Sequence, residues 1–302
     1  MPYDLKNKLV IGISSRALFD LEIENKIFEE KGLDEYYKYQ IENENNTPNK
    51  GTAFNLVKNI LKINSYFNSP QVEVIILSRN NSATSLRITK AAEHYDLDIQ
   101  RSAWTGGNKI SKYLAPFKVD LFLSAHEYDV QNAINTGVAA ARILPIENQS
   151  EQEHEQVRIA FDGDAVLFSE ESEKIFKDSG LEAFLKHEAV NAKNPMSEGP
   201  FAKLLKLISN IQKNFDEHNT PIRTALITAR NSPAHERVIR TLNAWDVRID
   251  ETFFLGGVEK YEVVKAFGAD IFFDDQDVHL KTTSKETPSA KVPYKSNSQN
   301  II

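Results

Sequence analysis

Ile159-Ala-Phe-Asp162-Gly-Asp164-Ala-Val-Leu-Phe168 is an apolar run interrupted by two aspartates with a glycine between them. The lead-in, from Val157 to Phe161, has the length and apolar content of a buried strand. Two carboxylates at i and i+2, separated by glycine, can project from one tight loop into one crevice. Taken alone, Asp-x-Asp also forms simple Asx turns or calcium loops. A helix–loop–helix calcium site is disfavoured, because an apolar strand precedes the aspartates and no ladder of acidic ligands follows.

Working outward, the same frame is written twice. A shift of 150 residues aligns 75–125 with 225–275 without a gap. Ten of those 51 pairs are identical, against roughly three expected from typical residue frequencies. They include Asn81/Asn231, Arg87/Arg237, Asp96/Asp246, Gly106-Gly107/Gly256-Gly257 and Asp120/Asp270. Upstream, a shift of 148 pairs residues 11–18 with 159–166, and Pro48-Asn-Lys-Gly51 resembles Pro195-Met-Ser-Glu-Gly199. Chance likeness of two unrelated α/β segments is the alternative; the ungapped run with paired glycines favours an internal duplication.

Each half reads as strands alternating with helices, which indicates a parallel sheet covered on both faces. Strands are expected at 9–13, 74–77 and 119–123 in the first half, and at 157–161, 225–227 and 269–273 in the second. Helices are expected near 83–94 and 234–244. The domain limits expected are 1–148, then 149–280 with an insertion at about 169–215, then a flexible tail at 281–302. That tail is rich in Lys, Ser, Thr, Asn and Pro and has little to bury.

Ligands of open α/β sheets sit beyond the carboxyl ends of the strands, so the residues at those ends matter most. After Asp162 and Asp164, the next strand ends at Thr228, a hydroxyl that can donate to a phosphate oxygen or simply cap the following helix. Lys260 follows Gly256-Gly257 at the start of a helical pattern; a solvated lysine is the ordinary alternative. The last strand delivers Asp274-Asp275 to the same edge. Adjacent carboxylates there would repel each other unless a divalent cation sits between them.

The order Asp-x-Asp, Thr, Lys, Asp-Asp resembles the four motifs of the haloacid dehalogenase (HAD-like) superfamily, over roughly residues 157–277. A narrower resemblance, to the cytosolic 5′-nucleotidase type I family, rests on residues 161–169, on Asn194-Pro-Met-Ser-Glu-Gly-Pro-Phe201 and on Phe272-Phe-Asp-Asp-Gln276. The resemblance implies two tandem HAD-like, Rossmann-like halves, the second catalytic with a small cap insertion. It implies Mg²⁺-dependent hydrolysis of nucleoside 5′-monophosphates, whereas the spacing by itself implies only phosphoryl transfer. In that scheme Asp162 is the nucleophile and Asp164 the acid and base. Thr228 and Lys260 bind phosphoryl oxygens. Mg²⁺ is held by Asp162, the backbone carbonyl of Asp164, Asp274 and waters, with Asp275 either a further ligand or a residue that orients one. Arg230, Asn194 and Met196 are candidates for substrate contact. The alternatives are that Met196 and Phe201 pack the cap onto the core and that Arg230 lies on the surface.

In the first half, Ser14 and Arg16 stand where Asp162 and Asp164 stand in the second, and Ser124 and Ala125 replace Asp274 and Asp275. That half is expected to be chemically silent. Its role is then a structural partner, an anion or nucleotide site using Arg16 and Lys109, or an oligomer surface. Other readings of the whole are a phosphatase of another small monoester and a nucleotide-binding regulator without turnover.

Composition narrows the classes further. Hydrophobic residues are 41% and charged residues 26%, which is ordinary for globular proteins. A net charge of −7 disfavours nucleic-acid polymers and membrane surfaces as partners. With no cysteine, thiolate chemistry is excluded. The first residues carry no secretory signal pattern, so a cytoplasmic location is expected.

Overall fold

The apolar runs form strands close to where the sequence places them. A computed structural model describes residues 3–147 and 156–296, in two compact units, Met1–Ile143 and Leu144–Ile302.

Unit 1 runs β1 (Leu9–Ile13), α1 (Ser15–Leu18), α2 (Glu22–Lys31), α3 (Leu33–Glu42), α4 (Phe54–Lys62), β2 (Val72–Ser78) and α5 (Ser82–His94). It continues through β3 (Arg101–Trp104), α6 (Ser111–Leu114), β4 (Leu121–Ser124), α7 (Glu127–Asn135) and β5 (Ala139–Ile143). Unit 2 runs β6 (Val157–Phe161), α8 (Glu171–Val190), α9 (Ala202–Gln212), β7 (Ile222–Thr228), α10 (His235–Ala244) and β8 (Glu251–Phe254). It ends with α11 (Lys260–Phe267), β9 (Ile271–Asp274), α12 (Asp277–Thr283) and β10 (Ser289–Lys291).

Within unit 1 the strand order is β3-β2-β1-β4-β5, and within unit 2 it is β8-β7-β6-β9-β10. All these neighbours pair in parallel. In each unit the first strand lies between the second and the fourth. The chain therefore reverses direction across the sheet there, leaving a crevice at the carboxyl ends of those strands.

The residues that the 150-residue shift pairs as identical form parts of the backbone frame in both units. Asp120 accepts a hydrogen bond from the Val10 N–H, and Asp270 accepts one from the Arg158 N–H. Asp96 and Asp246 adopt φ of +53° and +52°, each just after a helix. Gly106-Gly107 and Gly256-Gly257 all have positive φ, a backbone region that disfavours larger residues. Gly199 meets a different demand. A Cβ there would lie 2.4 Å from the Phe168 carbonyl oxygen, and one on Gly51 would lie 2.8 Å from the Phe19 backbone. Only glycine allows these approaches.

Two expectations need correction. The expected flexible tail, 281–302, contains the end of α12 and all of β10, and Thr283, Thr287, Ser289, Ala290 and Val292 are buried. This polar segment is ordered by backbone pairing, Ser289↔Phe272 to Lys291↔Asp274, rather than by apolar content. Its last residues, 297–302, lie outside the described residues. The insertion also shrinks from 169–215. Leu204, Leu205 and Ile208 of α9 are buried, so that helix belongs to the core. What remains is α8, bent at Gly180 (φ +79°), and the loop to Phe201. Phe201 is itself a core residue, 4.8 Å from the Phe273 ring centroid. Burying such a ring contributes roughly 1.5–3 kcal/mol.

Candidate active site

β6 is buried along its length except at Arg158, and it hands Asp162 to the crevice at 3% exposure. The Asp162 N–H donates to the Phe273 carbonyl at 2.8 Å, so the ladder to β9 continues up to the carboxylate itself. Beyond it the chain turns sharply, and Ala165 adopts φ +62°. That left-handed geometry costs a non-glycine residue on the order of 1 kcal/mol, and such strain concentrates at functional sites. A Cβ on Gly163 would lie 3.3 Å from the Thr228 hydroxyl oxygen. Glycine between the aspartates thus lets the end of β7 approach the loop.

Lys260, the first residue of α11, is 2% exposed and reaches back between two carboxylates. Its Nζ lies 2.7 Å from Asp162 Oδ1 and 2.7 Å from Asp274 Oδ2. Burial opposes its charge, but the two aspartates more than compensate and raise its pKa. Asp274 ends β9, and its Oδ1 accepts from the Gln276 N–H at 2.7 Å. Oxygens of Asp162, Asp274 and Asp275 all lie within 4.8 Å of one another. Burial, with Asp274 and Asp164 adding repulsion and Lys260 opposing, pushes the Asp162 carboxyl up to about 7. Burial and the neighbouring Asp162 push Asp275 up to about 8.

Asp275 Oδ1 is buried and has no hydrogen-bond partner among the described residues. Three converging carboxylates, one with an orphaned oxygen, fit a hard divalent cation such as Mg²⁺, which takes oxygen ligands. The Asp164 side chain is not part of that group. Arg230 grips both its oxygens, Nε to Oδ2 at 2.8 Å and Nη2 to Oδ1 at 2.6 Å.

Arg230 is 4% exposed, which rules out the surface position considered from sequence. Its other contacts are Glu188, through Nη1, and the Met196 sulfur, 3.4 Å from Nη2. Met196 is buried, its N–H bonded to the Thr241 hydroxyl at 3.0 Å, as the packing reading anticipated. Asn194 is exposed; its side chain donates to Asn191 at 3.2 Å and its carbonyl accepts from Arg237 at 3.0 Å. The structure therefore groups Asp162, Asp164, Thr228, Arg230, Lys260, Asp274 and Asp275, with Met196 touching Arg230.

Sequence reasoning missed a ring of supporting residues. Glu188 of α8 is fully buried and binds Arg230, Arg237 at 3.0 Å and the Ser172 hydroxyl at 2.7 Å. Although burial opposes it, Arg230, Ser172 and Arg237 hold the Glu188 carboxyl below its ordinary range. The Tyr294 hydroxyl lies between Asp275 and Glu173, 2.6 Å from the latter. None of these has a motif around it, and Tyr294 sits within the segment read as a tail. The 148-residue shift sets the neutral Gln40 of unit 1 against Glu188, so the internal comparison does not single out that acid.

A family profile described as 5′-nucleotidase matches residues 1–299. The chain belongs to the 5′-nucleotidase family. It is 34% identical over 287 residues to cytosolic 5′-nucleotidase 1B of Homo sapiens, covering 91% of this chain and 47% of that protein. The chain thus spans about half the length of the curated relative it matches. Among solved structures, histidinol dehydrogenase from Elizabethkingia anophelis is similar at 10% identity and a TM-score of 0.26, covering 96% of this chain and 54% of that one. A likeness so weak carries no argument. Among the described residues, no helix is long and apolar enough to cross a membrane.

Proposed function

We propose that the chain is a magnesium-dependent 5′-nucleotidase that hydrolyses nucleoside 5′-monophosphates such as AMP to a nucleoside and phosphate. One observation carries the reading. Asp162 stands at the carboxyl end of the first strand of unit 2, against Lys260 and within a three-carboxylate group. The kinship with a cytosolic 5′-nucleotidase supports the substrate class and a cytoplasmic location.

The side chains divide the work. Asp162 attacks phosphorus, forming a new O–P bond as the bond from phosphorus to the 5′-oxygen breaks. Asp164 gives a proton to the departing 5′-oxygen. It then takes one from a water that attacks the aspartyl-phosphate and releases inorganic phosphate. Arg230 orients Asp164 through its two-point grip. Thr228 accepts from the Arg230 N–H at 3.3 Å and keeps its own proton for a phosphoryl oxygen. Lys260 exchanges a carboxylate partner for the incoming phosphoryl group, adding positive charge where negative charge builds up.

Asp162, Asp274, Asp275 and the Asp164 carbonyl would hold Mg²⁺, which when bound screens the approach of one anion to another. Tyr294 and Glu173 orient Asp275 from behind. The α8 segment would serve as the cap. Unit 1 would be the silent product of a duplication, its crevice lacking carboxylates at the positions that match Asp162, Asp164, Asp274 and Asp275.

Phosphate release should be measured over AMP, IMP, CMP, deoxynucleotides and sugar phosphates, with Mg²⁺ or with EDTA. Release from nucleotides, lost in EDTA, is expected. Turnover of sugar phosphates alone would overturn the substrate class, and EDTA-resistant turnover would overturn the metal.

A further inference from the structure

Unit 1 contains its own cavity of about 380 Å³ at the strand ends that match the catalytic crevice of unit 2. That size lies at the small end of ligand pockets. One wall is aromatic. Phe28 of α2 and Tyr36 of α3 meet edge to face at 5.9 Å, and Tyr37 adjoins Tyr36 at 6.3 Å.

The strand ends that border the cavity offer hydrogen-bond donors. Ser14 accepts from the Ala17 N–H and Ser124 from the His126 N–H, so each hydroxyl keeps its proton to give. Both serines are at most 9% exposed. Asn80 accepts from the Tyr36 hydroxyl at 2.7 Å, while its Nδ2 is buried with no partner among the described residues. Leaving an amide donor buried and unpaired is costly, and an acceptor atom in the cavity would satisfy it.

Charge restricts the occupant. Arg16 is held by Glu22 through two 2.7 Å bonds. Arg79 is held by Asp129, the closest contact being 2.6 Å, and Arg87 is paired with Glu24. Lys109 does not line the cavity; it lies 5.5 Å from the Tyr128 ring. Of the four aspartates of the other crevice, two are matched here by the neutral hydroxyls of Ser14 and Ser124, one by Arg16 and one by Ala125. Arg16 and Arg79, which border the cavity, each already have an acid.

We propose that unit 1 binds an uncharged nucleoside, its base against the aromatic wall and its acceptor atoms facing Asn80, Ser14 and Ser124. The site stands on unit 1 alone and does not depend on hydrolysis in unit 2. Hydrogen exchange of the full chain, in EDTA with millimolar adenosine, tests it directly. Adenosine should slow exchange across Glu22–Lys31 and Leu33–Glu42, and leave Glu171–Val190 unchanged. Asn80→Leu should weaken that protection at least about tenfold. Phe28→Ala, at a half-exposed ring whose loss the fold tolerates, should weaken it about threefold or more.

Absent protection, or protection confined to Glu171–Val190, overturns the proposal. So does tighter protection of the same helices by AMP or by inorganic phosphate, which would make the site one for anions. Unchanged protection in Phe28→Ala removes the aromatic wall from the argument and overturns it as well. Phosphate release, measured separately, reports on unit 2 and cannot be confused with these outcomes.

Discussion

The two units place different chemistry on one backbone frame. At the end of its first strand unit 1 has Ser14 and unit 2 has Asp162; at the end of the fourth they have Ser124 and Asp274. Where unit 2 buries Lys260 between two carboxylates, unit 1 buries Ile110. The supporting layer changes in step. Arg87 and Arg237 are identical and both buried, yet Arg87 pairs with Glu24 and Gln40 while Arg237 pairs with Glu188. Gln40 cannot carry the charge that Glu188 supplies to Arg230. The frame thus tolerates either chemistry, because bonds such as those of Asp120 and Asp270 lie at the amino ends of the strands, away from the crevice.

That contrast can be broken most severely at Asp162. Asp162→Asn should lower phosphate release by about 10⁴-fold or more, as loss of a nucleophile does. Ser14→Ala, the matching change in unit 1, should leave release unchanged; both variants should melt cooperatively by circular dichroism. Comparable losses in the two would mean that the units are not divided into active and silent.

Lys260→Met should cost about 10²–10³-fold in kcat, the scale of one lost transition-state donor. It also leaves Asp162 and Asp274 facing each other without a cation, so Mg²⁺ should raise the melting temperature more than in the parent chain. Steady-state kinetics and thermal melts with and without Mg²⁺ check both parts.

Glu188→Gln imports the unit 1 residue into unit 2. The amide keeps some hydrogen bonds but leaves two buried arginines short of charge, and about 2–3 kcal/mol of stability should be lost. Urea unfolding measures that loss. A neutral result would show that Asp164 alone neutralises Arg230.

The smallest effect expected is on pH dependence. In the metal-free protein burial and the crowded carboxylates push Asp162 up to about 7 and Asp275 up to about 8, so a cation binding there competes with protons increasingly as the pH falls. Mg²⁺ affinity should rise with pH, by up to about tenfold per unit for each proton released. These raised values also mean that the folded chain binds more protons than the unfolded one between about 4 and 8. Their contribution to metal-free stability therefore falls as pH rises over that window. Calorimetric Mg²⁺ titrations at several pH values read the first trend, and a flat profile would count against these two carboxylates as ligands.

Much of this was legible in the sequence because it is local. A strand followed by Asp-Gly-Asp, or by Asp-Asp, announces both the element and the group at its end. The 150-residue shift then marked the frame, since residues such as Asp96 and Gly256 are demanded by backbone geometry at one position. The helices expected near 83–94 and 234–244 form as Ser82–His94 and His235–Ala244. β10 was not legible, because a short polar strand takes its order from the ladder it joins.

By itself, then, the sequence determined the parallel α/β units, the strand ends that carry Asp162, Thr228 and Asp274, and the loss of carboxylates from unit 1. Only the tertiary structure decided what surrounds them. Arg230 lies 66 residues from Asp164 along the chain and 42 from Glu188, and Tyr294 reaches Glu173 across 121. Such pairs leave no periodic or motif signal. They exist because packing buries opposite charges together and a buried charge must find a partner.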